Sequence, residues 1–248
     1  EIRLSLVGSE MCIRDSFPAV HLTYLVEPAA ASVVLGNPDL SEVIVAPRAS
    51  GARGLMADLT LGRRLARERF DIALDFHGGP RASLLTWLSR APRRIGYEVS
   101  GRAWMYTERV ARPRELRARH SVENQWDLLA AIGVPPPDRR RYPVAMPLLD
   151  GVVTQVRERL AAHGVTPAAR VVVIHVSAGN PFRRWPLDSF AAVAAALPAL
   201  DPDVRVIVTS GPSEAGAAAQ VIRMAREQLE PGRKDQVLEC GEFSLAAL

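Results

Sequence analysis

The residues with the most chemical content lie between Val171 and Phe190, in the segment VVVIHVSAGNPFRRWPLDSF. Ser177, Ala178, Gly179 and Asn180 follow an apolar run, Arg183 and Arg184 come next, and Trp185-Pro186 opens an amphipathic stretch. Pro suits a first helical turn, where its missing N–H is not needed. A strand, a small-residue loop and a helix start would therefore gather free N–H groups, a hydroxyl and two guanidiniums at one point. Helix N-termini carry partial positive charge and guanidinium forks fit phosphate oxygens, so the chemistry indicated is phosphate binding. Two solvated surface arginines are the alternative.

A second junction, VRVIVTSGPSEAG, sets Gly211 in a turn after a strand and Glu214 at the start of a helix. A carboxylate there can accept hydrogen bonds from a ribose diol, or simply complement the helix dipole. A third, IALDFHGGPRAS, ends a strand at Asp75-Phe76-His77, and Gly78-Gly79 precede a helix that begins near Arg81. His120 and Glu123 could pair across a turn, or serve only as helix-start chemistry. The arginines at 112, 114, 117 and 119 form either a lipid-facing basic face or a solvated strip. No G-x-S-x-G elbow accompanies the His-Gly-Gly turn, which excludes a lipase-like hydrolase. Neither H-E-x-x-H nor paired C-x-x-C occurs, so no metal site is expected.

These junctions need strands that end together. Short β-branched runs alternate with longer amphipathic ones, the pattern of βα units around parallel sheets. Strands are expected at 20–26, 43–45, 72–76, 171–176, 204–209 and 237–239. Helices are expected at 55–70, 81–90, 122–132, 152–163, 187–197 and 214–229. In the 122–132 helix, Val122, Trp126 and Leu129 share a face, Ser121 can cap the start and Gly133 can end it. The segment PPPDRRRYPVAMP (Pro135–Pro147) holds five prolines and three consecutive arginines, and divides the chain into 17–149 and 150–248.

Composition narrows the class. Of 248 residues, 48% are hydrophobic and 23% charged, as in globular chains. No apolar run reaches the roughly 18 residues of a membrane span. The net charge is only +4, and Lys234 is the sole lysine among 31 basic residues. Arginine beside abundant alanine reflects codon usage rather than a nucleic-acid partner. The opening EIRLSLVGSEMCIRDS lacks the features of a signal peptide. Its Leu6–Ser16 run resembles the in-frame translation of a sequencing-library adapter, so 1–16 are expected to be non-native and outside the fold. That leaves Cys240 as the one native cysteine, in keeping with a reducing compartment.

Taken in order, several segments resemble glycosyltransferase family 9, the heptosyltransferases of the lipopolysaccharide inner core. FPAVHLTYLVEPAAASVVLGNPDLSEVIV resembles its early pattern, and DFHGGPRAS its D-x-Q-G segment, with His77 replacing glutamine. RRIGYE and HSVENQWDLLAAIGV resemble later landmarks. IHVSAGNPFRRWPLDSF is similar to the donor loop, with Arg183 at the lysine position and Val176-Ser177 departing from Pro-Gly. VIVTSGPSE resembles the ribose-binding segment.

The resemblance implies an α/β protein of the GT-B fold, with two Rossmann-like parallel-sheet domains, both incomplete. The first would be on the acceptor side and lack its initial βα unit; the second would bind nucleotide sugar. It implies inverting transfer of heptose from ADP-heptose to a lipid A-core acceptor, with no cofactor and no metal. Donor contacts would come from Ser177, Ala178, Gly179, Arg183, Arg184, Gly211 and Glu214. Asp75, His77, Gly78, Arg81 and His120 are acceptor-side candidates. The family's general-base aspartate would precede Phe17, so the chain as written is expected to have little activity. A cytoplasmic monomer, peripheral to the inner membrane and binding no nucleic acid, completes the expectation. The alternatives are a GT-B-type nucleotide-sugar epimerase, for which only Asp75, His77 and His120 offer cleft chemistry, and a non-catalytic nucleotide-binding protein.

Overall fold

The structure is a computed structural model that describes residues 9–111, 123–136, 148, 150–178, 180–211, 214–244 and 247. The chain divides into two compact units, Ile2–Pro147 and Leu148–Leu248. Among the described residues every strand pairing is parallel, and the paired strands are joined through α-helices except Arg93–Tyr97 and Glu108–Val110, which are joined by a loop with a single 3₁₀ turn. The fold class is α/β, as the alternating pattern predicts.

The first unit begins with helix α1 (Ser9–Ser16), followed by strand β1 (Thr23–Val26), helix α2 (Pro28–Val34) and strand β2 (Glu42–Val45). Helix α3 (Gly51–Arg67), strand β3 (Ile72–Asp75), helix α4 (Pro80–Leu88) and strands β4 (Arg93–Tyr97) and β5 (Glu108–Val110) come next, then helix α5 (Glu123–Ala130). β1 pairs with β2, and β3–β4–β5 form a second sheet. Leu61 and Leu65 of α3 bury against Ile44, Ala46 and Leu85. α3 can approach α4 closely because Gly62 faces Leu88, whose side chain a Cβ would meet at 2.7 Å. α5 ends at Gly133, whose φ of 83° a branched side chain would resist.

Three differences from the expected elements have local causes. β4 opens on two arginines and β5 is Glu-Arg-Val, so neither shows the apolar alternation of a strand. α2 spans seven residues, too few to display a helical period. Residues 9–16, expected outside the fold, form α1, with Cys12 and Ile13 buried against Trp126, Leu129 and Val134. Ser121, Val122 and the arginines at 112–119 lie outside the described residues, as does most of the proline-rich segment.

The second unit comprises α6 (Asp150–Ala162), β6 (Arg170–His175), α7 (Leu187–Leu200), β7 (Val204–Thr209), α8 (Ala215–Gln228) and β8 (Val237–Leu238). Its sheet runs β6–β7–β8. Val206 and Val208 point to one face, where Ala191 and Ala194 of α7 and Val221 and Ala225 of α8 close the core. Alternation turns Ile207 to the other face, where it meets Leu160 of α6, Val165 and Cys240. Small residues on α7 and α8 let both helices lie against one sheet face. That fixes their N-terminal turns beside the carboxyl ends of β6 and β7.

Candidate functional site

At those carboxyl ends two loops are tied together. The Val176 N–H donates to the Thr209 carbonyl at 3.0 Å, which extends the β6–β7 ladder past the last strand residue. One step on, the Gly211 N–H donates to Ser177 Oγ at 2.7 Å. The hydroxyl accepts in that bond and keeps its own O–H for an incoming acceptor. Glu214 N–H closes the turn by donating to the Gly211 carbonyl at 3.0 Å. The Arg184 guanidinium donates through Nη2 to Glu214 Oε1 at 2.9 Å and through Nε to the Ala178 carbonyl at 3.1 Å.

Ser177, Ala178, Arg184, Gly211 and Glu214 are thus assembled at one place, beyond the carboxyl ends of β6 and β7. Arg183 is exposed and makes none of these bonds; its guanidinium stands 5.7 Å from the ring of Phe182. Gly179 lies outside the described residues. At Gly211 the nearest atoms to an added Cβ would be Glu214 Oε2 at 3.5 Å and Ser177 Oγ at 3.6 Å, so glycine leaves the backbone approachable here. A guanidinium, a hydroxyl and helix-start N–H groups can hold an anion, and the adjacent carboxylate can accept from hydroxyls.

Two parts of this site escaped the sequence reading. His175 Nδ1 lies 3.0 Å from Oγ1 of the buried Thr209, and this contact links the last residues of β6 and β7. A cavity of about 260 Å³ opens at the carboxyl ends of β7 and β8, lined by Thr209, Ser210, Ala215, Ala218, Glu239 and Gly241 among others. The available signal was Gly241 just beyond the short β8 run, where φ is 71°. Cys240 lines the same cavity, and burial raises its thiol above the ordinary value.

The first unit has its own cluster at the end of β3. Asp75, 3% exposed, accepts from the His77 and Gly78 N–H groups through Oδ1 at 2.9 and 2.8 Å. Its Oδ2 accepts from the Tyr106 hydroxyl at 2.6 Å and from Ser83 Oγ at 3.4 Å, and Ser83 Oγ is 2.7 Å from the Tyr106 hydroxyl. Burial, followed by the bond to Asp75, holds the Tyr106 phenol well above its usual value. Tyr106 reaches Asp75 by lying across Gly96 of β4, where any Cβ would collide with the ring. The Arg102 guanidinium donates to the Gly78 carbonyl at 3.2 Å, and Gly78 takes a φ of 68°.

Asp75 and Gly78 therefore shape the turn, while His77 projects from it exposed. Arg81 donates to Asp58 Oδ1 at 2.9 and 2.8 Å, to Glu27 Oε1 at 3.4 Å and to the Pro47 carbonyl at 2.6 Å. The bonds to Asp58 come first among the causes that raise its already high pKa, so Arg81 is committed to joining α3, α4 and the end of β1. His120 lies outside the described residues. Tyr106 and Ser83 were not anticipated, because Tyr106 is 31 residues from Asp75 and only the fold joins them. No group of three or more metal-ligating side chains occurs among the described residues.

Solved structures share this fold. A glycosyl transferase family 9 protein from Veillonella parvula matches with a TM-score of 0.78 at 19% identity, over 91% of this chain and 69% of that one. ADP-heptose lps heptosyltransferase II of E. coli gives 0.66 at 16% identity, over 94% and 66%. E. coli heptosyltransferase WaaC with ADP gives 0.64 at 17%, over 97% and 71%. At these identities the likeness is one of fold, and it places the chain in the GT-B class. No curated protein matches the sequence. The model of glycosyltransferase family 9 (heptosyltransferase) matches residues 59–248, well over half of the chain. This match spans β3 with its Asp75 turn and both loops that meet at Ser177 and Gly211, and the chain belongs to glycosyltransferase family 9.

Proposed function

We propose that the loops after β6 and β7 bind the diphosphate and ribose of ADP-heptose, and that the protein transfers heptose to the lipopolysaccharide inner core with inversion. The observation that carries this reading is the bonded set Ser177–Gly211 and Arg184–Glu214 at the ends of two adjacent parallel strands. Ligands of open α/β sheets sit at such strand ends. Arg184, the Ser177 hydroxyl and the first turns of α7 and α8 would take phosphate oxygens, and Arg183 would join them from its exposed position. As the glycosidic bond breaks, negative charge grows on the departing diphosphate, and these fixed donors stabilise it without a metal ion.

Glu214 would take the ribose hydroxyls. Its carboxylate is bonded to Arg184, and binding would divide that pair between a phosphate–guanidinium and a ribose–carboxylate contact. The cavity at the ends of β7 and β8 suits the base, with an apolar wall from Ala215 and Ala218 and backbone polar groups at Cys240 and Gly241. On the acceptor side, His77 is the exposed candidate, held in place by the turn that Asp75 builds. The general base is assigned to no described residue.

Titration calorimetry with ADP tests the reading. Arg184→Ala should weaken binding about tenfold or more, since a charge-assisted phosphate contact is lost. Glu214→Gln should weaken ADP binding while leaving inorganic pyrophosphate binding intact. Unchanged ADP affinity in both variants overturns the donor assignment.

A further inference from the structure

Three side chains of β6 leave the sheet on the face opposite the core that α7 and α8 close. Val172 and Ile174 pack into that core, so alternation turns Val171, Val173 and His175 the other way, and all three are exposed. His175 stands opposite Thr209 in the β6–β7 register, and Thr209 shares this face with Ile207, two residues earlier.

The 3.0 Å contact between His175 Nδ1 and Thr209 Oγ1 has a direction. Thr209 is buried, and Nδ1 is the acceptor its hydroxyl meets among the described residues. If Nδ1 carried the ring proton and donated it, the hydroxyl proton would have no acceptor. An unmade bond of a buried donor costs more than a made one contributes, so the hydroxyl donates and Nδ1 accepts. A neutral imidazole with a bare Nδ1 holds its proton on Nε2. The exposed ring therefore presents an N–H donor at the carboxyl end of β6.

We propose that this Nε2–H is a further contact to the phosphates of the nucleotide sugar, and that Thr209 is the positioning residue that fixes its tautomer. The inference rests on the donor-site reading of the loops after β6 and β7. Val176 returns to the core, so Ser177 points to the same side as His175, about 7 Å further along the chain. Ser177 takes the Gly211 N–H and keeps its own proton for an incoming acceptor. Two successive rungs, His175–Thr209 and Ser177–Gly211, thus each spend one polar atom on the β7 side and leave one donor over. Arg184, held at Ala178 and Glu214, adds charge beside them. Neutral donors flanking a guanidinium suit a diphosphate, whose oxygens accept several bonds at once.

Two amides separate the ring nitrogens. In His175→Asn the amide oxygen stands near the Nδ1 position and still accepts from Thr209, but no donor reaches outward. In His175→Gln an amide N–H extends toward the Nε2 position. In titration calorimetry of the full chain, His175→Asn should weaken ADP and inorganic pyrophosphate about tenfold each, the loss of a hydrogen bond to a charged group. His175→Gln should lose less than about threefold. Adenosine, which lacks phosphate, should not distinguish parent from variants. Thr209→Val should weaken pyrophosphate about threefold, and Thr209→Ser should restore it. Nitrogen-15 spectra of histidine-labelled protein at mildly alkaline pH should show His175 with a bare Nδ1, and pyrophosphate should shift its Nε2–H. A proton on Nδ1, or an equal loss of adenosine affinity in His175→Asn, overturns the inference. Parental pyrophosphate affinity in His175→Asn, with Arg184→Ala weakened, overturns the role of His175 alone. Parental ADP affinity in Arg184→Ala, Glu214→Gln and His175→Asn together overturns the donor site itself.

Discussion

Two carboxylates in the first unit are almost equally buried, and the protein treats them in opposite ways. Asp75 is 3% exposed and receives two backbone N–H groups, a phenol and a hydroxyl. Glu10, in the first turn of α1, is 4% exposed, and its Oε1 meets no donor among the described residues. Nearby, Thr23 Oγ1 and Trp126 Nε1 are also buried with no partner among the described residues, and burial together with the Glu10 charge pushes the Tyr24 phenol up to about 12. A buried ion is tolerable when several donors replace its water, and costly when they do not. The β3 end is a finished polar network. The surroundings of α1 are apolar packing with polar groups left over.

The largest effect should follow from emptying the finished network. Asp75→Ala strands two N–H groups and the Tyr106 hydroxyl in a dry site, and urea denaturation should show a loss of about 4 kcal/mol. Asp75→Asn keeps an acceptor for the turn and should lose less than half of that. A loss below about 1 kcal/mol for the alanine variant would place water in the cluster and erase the contrast with Glu10.

A somewhat smaller effect tests how Tyr106 reaches the network. Gly96→Ala inserts a methyl group into the space of the phenol ring, and overpacking of this kind costs about 3 kcal/mol. Because the ring must shift away from Asp75, the variant should also expose Tyr106 to titration at lower pH, which its ultraviolet absorbance would report. An unshifted phenol in a destabilised variant would mean that the backbone yields and the Asp75 bond survives.

The same contrast explains what could be read from the sequence. The junction after β3 was visible because Asp-Phe-His-Gly-Gly carries turn chemistry at the end of an apolar run. Likewise Ser177, Arg184, Gly211 and Glu214 stood out through the strand–loop–helix rhythm, and the fold does bring them together. Arg183 was indistinguishable from Arg184 in type and spacing, yet only Arg184 reaches Glu214. Tyr106 gave no sign of its role, since its partnership with Asp75 depends on β4 lying beside β3 with a glycine at the crossing. β4 itself was hidden because Arg93 and Arg94 open the strand, spent there on Glu108 and on backbone carbonyls. Residues 9–16 are set aside in the sequence because Leu6–Ser16 resembles a translated adapter, not because of their periodicity. Their helix is packed, and its leftover polar groups are what a pattern-based reading could not weigh.

Glu10 offers the smallest and most specific test, because its effect should depend on pH with a defined sign. Burial raises the carboxyl above its ordinary value, outweighing its own hydrogen bonds. In the unfolded chain a glutamate ionises near 4.3. Below that pH both states hold the proton and the side chain costs the fold nothing. As pH rises, the unfolded chain ionises first, and stability falls until the folded carboxyl has ionised too. Glu10→Gln removes the charge and keeps the shape, so it should be more stable than the parent by about 1 kcal/mol at neutral pH. That gap should close as pH drops toward 4, while any gap arising from packing alone would persist. Paired urea titrations of parent and variant across this range measure the difference directly, and the general acid sensitivity of the other carboxylates cancels between them. A variant less stable than its parent at pH 7 would mean that the hydrogen bonds to Glu10 outweigh its burial, and the two buried carboxylates would then be solved in the same way.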